Sequence, residues 1–306
     1  MQSQTEIRQS ITNKIIESLK QGRIPWRKPW TGVAGPRTPT NFVTKRRYSG
    51  INVPVLWMAG QDRGYDVDYW GTFNQWKSVG ASVKKAEKSS QIVCFRPIKK
   101  TVTDSDGTET TESFPMLRTF PVFSIHQVSG AVVKPFLDGP AGPTFIHEQR
   151  DEFERVVAAT GAEIRYGGSK AAYYRSPADY IQMPHEDRFE SFPVESFPAF
   201  AETLAHELSH WSEHRLNWAG SYAEGELRAE LAAVFVMAAL DIPDSNNLDN
   251  HIAYLGSWLE ALQNDHKFLF RAAAAASKSA DYIMSFSRPQ DEENDADVDA
   301  GEVALV

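Results

Sequence analysis

Two histidines one helical turn apart with a carboxylate beside the first constrain this chain most: His206, Glu207, Leu208, Ser209 and His210. At 3.6 residues per turn both imidazoles leave one face of a helix, and Glu207 sits where it can deprotonate a water held by a divalent ion. The helix itself is legible. Phe200 to Trp211 holds no Gly or Pro, and Phe200, Leu204, Leu208 and Trp211 recur at spacings of four and three. Pro193 to Pro198 breaks the chain before it. The pattern names a hydrolytic metal chemistry but no substrate.

Hydrolytic zinc takes three protein ligands and keeps one position open. A metzincin layout needs a Gly and then a third His shortly downstream; Glu213 and Leu216 stand there, which excludes it. His214 climbs the same helix and cannot converge with His206 and His210 on one ion, so it reads as a neighbour of the ligands or a surface residue. The next helical stretch, GELRAELAAVFVMAALDIP, begins after Gly225, ends before Pro243, and has Leu227, Leu231, Val234, Phe235 and Ala238 as its apolar face. On a helical wheel Glu230 lies inside that face and Glu226 at its margin. A carboxylate aimed into a core needs compensation, which makes Glu230 the expected third ligand and leaves Glu226 solvated or bracing a ligand histidine. An ion pair of Glu230 with Arg228 or Arg215 is the alternative. His206, His210 and Glu230 around Zn2+, with Glu207 as general base, is a gluzincin-like layout; the same donors also accept Mn2+ or another divalent metal. Tyr173, Tyr174, Tyr180 and His214 are open candidates for an oxyanion donor.

Charge divides the chain. Residues 1 to 100 carry 18 Lys and Arg against 6 Asp and Glu, within a whole chain of net charge −8. A basic third joined to an acidic remainder suggests a polyanion-binding module fused to something else. Aromatics interleave with its cations: Trp26, Arg27, Lys28 and Trp30 in PWRKPW; Arg46, Arg47 and Tyr48 in KRRYSGIN; then Trp70, Lys77, Lys84, Lys85 and Lys88. Cations along phosphates and rings against unstacked bases hold single-stranded nucleic acid. Trp57, Phe73 and Trp76 fit a core as readily as a binding face.

The coarse elements follow. Residues 4 to 21 read as an amphipathic helix stopped by Gly22, and 50–60 and 72–79 as short helices. Gln91–Pro97 and Thr119–Gln127 read as a hairpin, with Glu163–Tyr166 and Tyr180–Met183 as further strands. The fold class is α+β in two domains: residues 1–130 a basic, aromatic-rich single-stranded-DNA-binding module, 131–146 a linker, and 147–288 a mainly helical metallopeptidase domain with a small sheet. The stretch 289–306 is an acidic tail expected to be disordered. Cys94 is the single cysteine, the start MQSQTEIRQS carries no apolar leader, and no apolar run is long enough for a bilayer. A monomer in the bacterial cytoplasm, with no membrane partner, is the expectation.

The motifs PWRKPW, RRYSGIN, WGTFNQW, VKKAEKSSQIV and FPVFSIHQV resemble the N-terminal domain of ArdC-type antirestriction proteins. YYRSPADYIQMP, LAHELSHW and ELRAELAAVF resemble the zincin-like metallopeptidase domain of the same family. The resemblance implies a plasmid-borne protein that binds single-stranded DNA and protects incoming conjugative DNA from host restriction. It also implies metal ligation at His206, His210 and Glu230, with Glu207 catalytic. One departure is Lys85-Ala86-Glu87, where family members often carry Lys-Gly-Glu. A protease acting on a DNA-associated protein is the leading reading. A DNA-coating protein with a structural or vestigial metal site and a DNA–protein crosslink protease are the competitors.

Overall fold

The computed structural model describes residues 3–27, 35–103, 109–138, 146–189, 196–244 and 249–287. Lys28, Trp30 and the tail from 289 lie outside the described residues. The chain opens with α1 (Gln4–Lys20), started by a capping box in which Ser3 and Glu6 each bind the other's backbone amide. It stops, as expected, where Gly22 takes a φ of 73°. There follow β1 (Thr40–Asn41), α2 (Asn52–Gln61), β2 (Tyr69–Gly71), α3 (Phe73–Ser78) and β3 (Ser82–Val83). The expected hairpin is β4 (Ser90–Thr103) against β5 (Glu109–Ser124), antiparallel from Ser90 opposite Val122 to Thr103 opposite Glu109, and longer than its apolar runs suggested. Strand order in this sheet is β1-β2-β5-β4.

The segment expected as a linker is partly structured. After β5 come β6 (Val128–Ser129), paired with β3, a short turn, and α4 (Lys134–Leu137). Val128 and Val133 are buried with Phe42, Val67, Trp76, Ala81 and Ile125. Gly and Pro flagged a break here, but two valines with a place in a core outweigh them. The second half holds α5 (Ile146–Thr160), β7 (Glu163–Tyr166), β8 (Tyr173–Arg175) and β9 (Tyr180–Met183) in the order β7-β9-β8. Four long helices complete it: α6 (Ser196–Arg215), α7 (Tyr222–Ala239), α8 (Asp249–Asn264) and α9 (Phe268–Ser285).

Two domains of mixed helix and sheet result, joined by one continuous apolar core. Ile7, Ile11, Ile15, Ile16 and Leu19 of α1, together with Trp26 and Trp57, belong to the same cluster as Leu208, Leu231, Trp258 and Leu269. The Trp26 ring meets Trp258 edge-on at 5.9 Å, and Gly50 donates its amide to Ser277 at 2.7 Å. Among the described residues no helix is long and apolar enough to cross a membrane.

Candidate metal centre

α6 carries the two histidines on one face, and α7 packs beside it. The Nε2 atoms of His206 and His210 lie 3.2 Å apart. The carboxylate that meets them is Glu226: its Oε2 is 3.6 Å from His206 Nε2 and its Oε1 is 3.8 Å from His210 Nε2. All three ligand atoms fall within 4.8 Å of one another. One ion with bonds of about 2.0–2.2 Å holds tetrahedral ligands about 3.3–3.6 Å apart, close to the separations of 3.2, 3.6 and 3.8 Å here, so His206, His210 and Glu226 fit a divalent metal.

Glu230, the third ligand expected from the wheel, lies one turn further along α7 and faces Arg27, 3.9 Å from its Nε. The wheel could not tell the two glutamates apart because α7 is no amphipathic helix: Glu224 through Ala238 are all buried. With apolar surface on every side, position on an arc does not separate Glu226 from Glu230. Both are buried carboxylates with compensation, one beside the two imidazoles and one beside a guanidinium.

Burial pushes the Glu207 carboxyl above the usual range, against the opposing pull of His206 and His210. That places it closer to neutrality, where a carboxyl exchanges protons readily. Burial acts on Glu226 in the same sense, but the hydrogen bond with His206 and the charge of His210 hold it below the usual range. For His206, burial is outweighed by Glu226, Glu207 and Glu230, and its pKa is raised.

Behind the histidines a polar network fixes α6 against α7 and α9. Glu213 accepts at 2.9 Å from His210 Nδ1 and lies 3.3 Å from the fully buried guanidinium of Arg228. Arg228 also donates to the carbonyl of Ser209 and to the hydroxyl of Ser212, which meets Ser279 at 2.7 Å. Burial lowers the Arg228 pKa to about 10. The partner of Arg215 is Asp179, so neither arginine named as an alternative for Glu230 pairs with it.

A cleft of about 470 Å³ opens on the histidines, with Tyr173, Trp218, Tyr222 and Tyr254 on its walls. The hydroxyls of Tyr222 and Tyr254 meet at 3.2 Å, and both act on Glu226. The sequence offered no signal for this pair, since the two residues come from α7 and α8. Of the tyrosines that were named, Tyr174 donates its hydroxyl to Asp179, and Tyr180 stacks edge-on with Tyr173. His214 is exposed in the last turn of α6 and does not line the cleft.

The basic N-terminal residues divide. Arg46, Arg47, Lys77, Lys84, Lys85 and Lys88 are exposed, and Tyr48 is half-buried; burial pushes its pKa up to about 12, against the opposing effect of the hydrogen bond its hydroxyl accepts from Asn41. Trp26, Arg27 and Trp70, expected to meet nucleic acid, are buried instead. Prolines and charges around Trp26 suggested poor core context; the core it joins is supplied by α8, remote in sequence. Trp70 packs with Leu56 and Val122. Among the described residues before position 130, the exposed aromatics are Phe73 and Phe95, 55 % and 51 % accessible.

Residues 5–123 match the model of the N-terminal domain of anti-restriction factor ArdC, and residues 151–275 that of a zincin-like metallopeptidase. An uncharacterized protein, y4eC, of Sinorhizobium fredii (strain NBRC 101917 / NGR234) is 32% identical over 297 residues, covering 92% of each chain. Two DNA primase TraC proteins of Escherichia coli are 34% and 32% identical over 93% and 96% of this chain, which spans 28% and 21% of their length. Crystal structures of the antirestriction ArdC protein from the R388 plasmid superpose with a TM-score of 0.73 for the metal-free form and 0.70 for the Mn(II)-bound form. Identities are 32% and 31%, with 92% of this chain and 98% of those chains covered. With both domain models matched in order and a relative aligned along nearly its full length, the chain belongs to the ArdC-type antirestriction family, with a zincin-like metallopeptidase domain at its C-terminal side.

Proposed function

We propose that this chain is a metal-dependent peptidase carried on a single-stranded-DNA-binding module, and that it protects incoming DNA from restriction. The observation that carries the reading is the convergence of His206, His210 and Glu226 within 4.8 Å, beside a buried Glu207 whose proton affinity is raised. A divalent ion held there, Zn2+ or Mn2+, supplies Lewis-acid chemistry to a peptide carbonyl and to water. Glu207 accepts the proton that the attacking water loses and returns it to the leaving amine. Glu213 holds His210 through Nδ1, fixing the tautomer that leaves Nε2 free as a ligand. Exposed Arg46, Arg47, Lys77, Lys84, Lys85 and Lys88 supply the phosphate contacts, and tethering concentrates the site on DNA-associated proteins.

The test is Glu207→Gln. Cleavage of a single-stranded-DNA-bound protein is expected to fall at least about 100-fold, with Mn(II) and oligonucleotide affinity unchanged. Full proteolysis by this variant sinks the mechanism.

A second reading is favoured by the shared core: α6 and α7, which carry the ligands, also anchor Arg27 and Trp57 of the N-terminal domain. A metal there could serve stability while protection comes from coating DNA. Under that reading Glu207→Gln protects DNA as well as wild type in a restriction assay, and Glu226→Gln loses both stability and protection.

A further inference from the structure

Arg27 stands between the two helices that bear the metal ligands. It donates to Glu202 of α6, lies 3.9 Å from Glu230 of α7, and all three side chains are less than 10 % accessible. Glu202 is one helical turn before His206, and Glu230 one turn after Glu226. Across this helix pair, His206 against Glu226 and Glu202 against Glu230 are therefore successive rungs. The second rung sets two buried carboxylates face to face; without a cation between them they repel and splay α6 from α7. Glu202, Glu230 and Asp244 all act on Arg27, and together they raise its pKa against the effect of burial. The backbone of Arg27 is held in turn, because Gln61 of α2 donates to its carbonyl and the neighbouring Trp26 packs on Trp258.

We propose that Arg27 is a positioning residue of the metal centre: a cation delivered by the N-terminal domain that fixes the spacing of His206 and His210 from Glu226. The inference rests on reading those three residues as a divalent-metal site. Its consequence is that the affinity of the peptidase domain for its metal depends on a residue outside that domain.

The experiment titrates Mn(II), followed by its electron paramagnetic resonance signal, into the full chain as wild type, Arg27→Lys, Glu202→Gln and Val133→Ala. Val133 lies in a separate apolar cluster and reports general destabilisation without touching the brace. Wild type and Val133→Ala are expected to bind alike, Glu202→Gln at least about 10-fold more weakly, and Arg27→Lys between them, because a retained cation partly rescues the rung. Equal affinity in all four, or a loss matched by Val133→Ala, overturns the proposal. No Mn(II) or Zn(II) binding by wild type overturns the metal reading instead. For a variant that does not fold, the wild type carries the test through linkage: saturating Mn(II) must slow amide exchange at residues 24–27 as well as around the histidines. Unchanged exchange at 24–27 overturns the proposal.

Discussion

Glu226 and Glu230 are four residues apart on one helix and both buried, yet they have different partners. The difference is measurable: Glu226→Gln is expected to weaken Mn(II) binding at least about 100-fold, beyond the effect of a supporting residue, and Glu230→Gln by about 10-fold. A result in which Glu230→Gln is the more damaging would restore Glu230 as the ligand. Ala86 carries strain of a different kind. Its φ of 67° is left-handed, in the turn where Glu87 donates to the Lys84 carbonyl, and a Cβ there costs about 1 kcal/mol. The departure from Lys-Gly-Glu noticed in the sequence is thus a backbone effect. Ala86→Gly is expected to raise the melting temperature by about 2 °C by calorimetry, with DNA affinity unchanged.

The helices that frame the site are tied down by a few polar links. Arg150 of α5 makes a two-pronged pair with Glu186 in the turn that leads to α6, and Ser196 at the start of α6 donates to the same carboxylate. The hydrogen bonds from Arg150 hold the Glu186 carboxyl below its usual range against the effect of burial. A carboxylate with a depressed folded-state pKa adds stability above its unfolded value, about 4.3, and loses it as pH falls through the folded value. Glu186→Gln is therefore expected to cost about 1 kcal/mol at pH 7, with the gap to wild type closing below about pH 4 in thermal melts. A gap that persists in acid would show that packing, not charge, carries the link. The elements themselves were readable where their signals are local: the Ser3 cap, the Gly22 stop and the two antiparallel strands of the hairpin. The structured part of 131–146 was not, because Val133 is buried in a cluster with Trp76 of α3 and Val67, remote from it in the chain.

The two domains share a core, and that governs how they can be separated. A fragment of residues 1–130 leaves α1 without α8 and Trp26 without Trp258. Each apolar side chain returned to water costs about 1.5–3 kcal/mol, and several are uncovered at once, which exceeds the stability of a typical domain. This fragment is expected to show no cooperative thermal transition by circular dichroism and to elute as aggregates. A cooperative, monomeric fragment would mean that the domains are independent after all. The family, the histidine pair with Glu207 beside it and the basic character of the first third were all in the sequence, because spacing on one helix and local charge need no partner to be read. The placement of Glu226 rather than Glu230 beside the two histidines and the burial of Trp26, Arg27 and Trp70 were not. Each depends on which remote helix packs against the residue: α7 is enclosed on all sides, and Arg27 finds its partners 175 residues and more away. Periodicity reports which face of an element is apolar; what meets that face is set when the chain closes on itself.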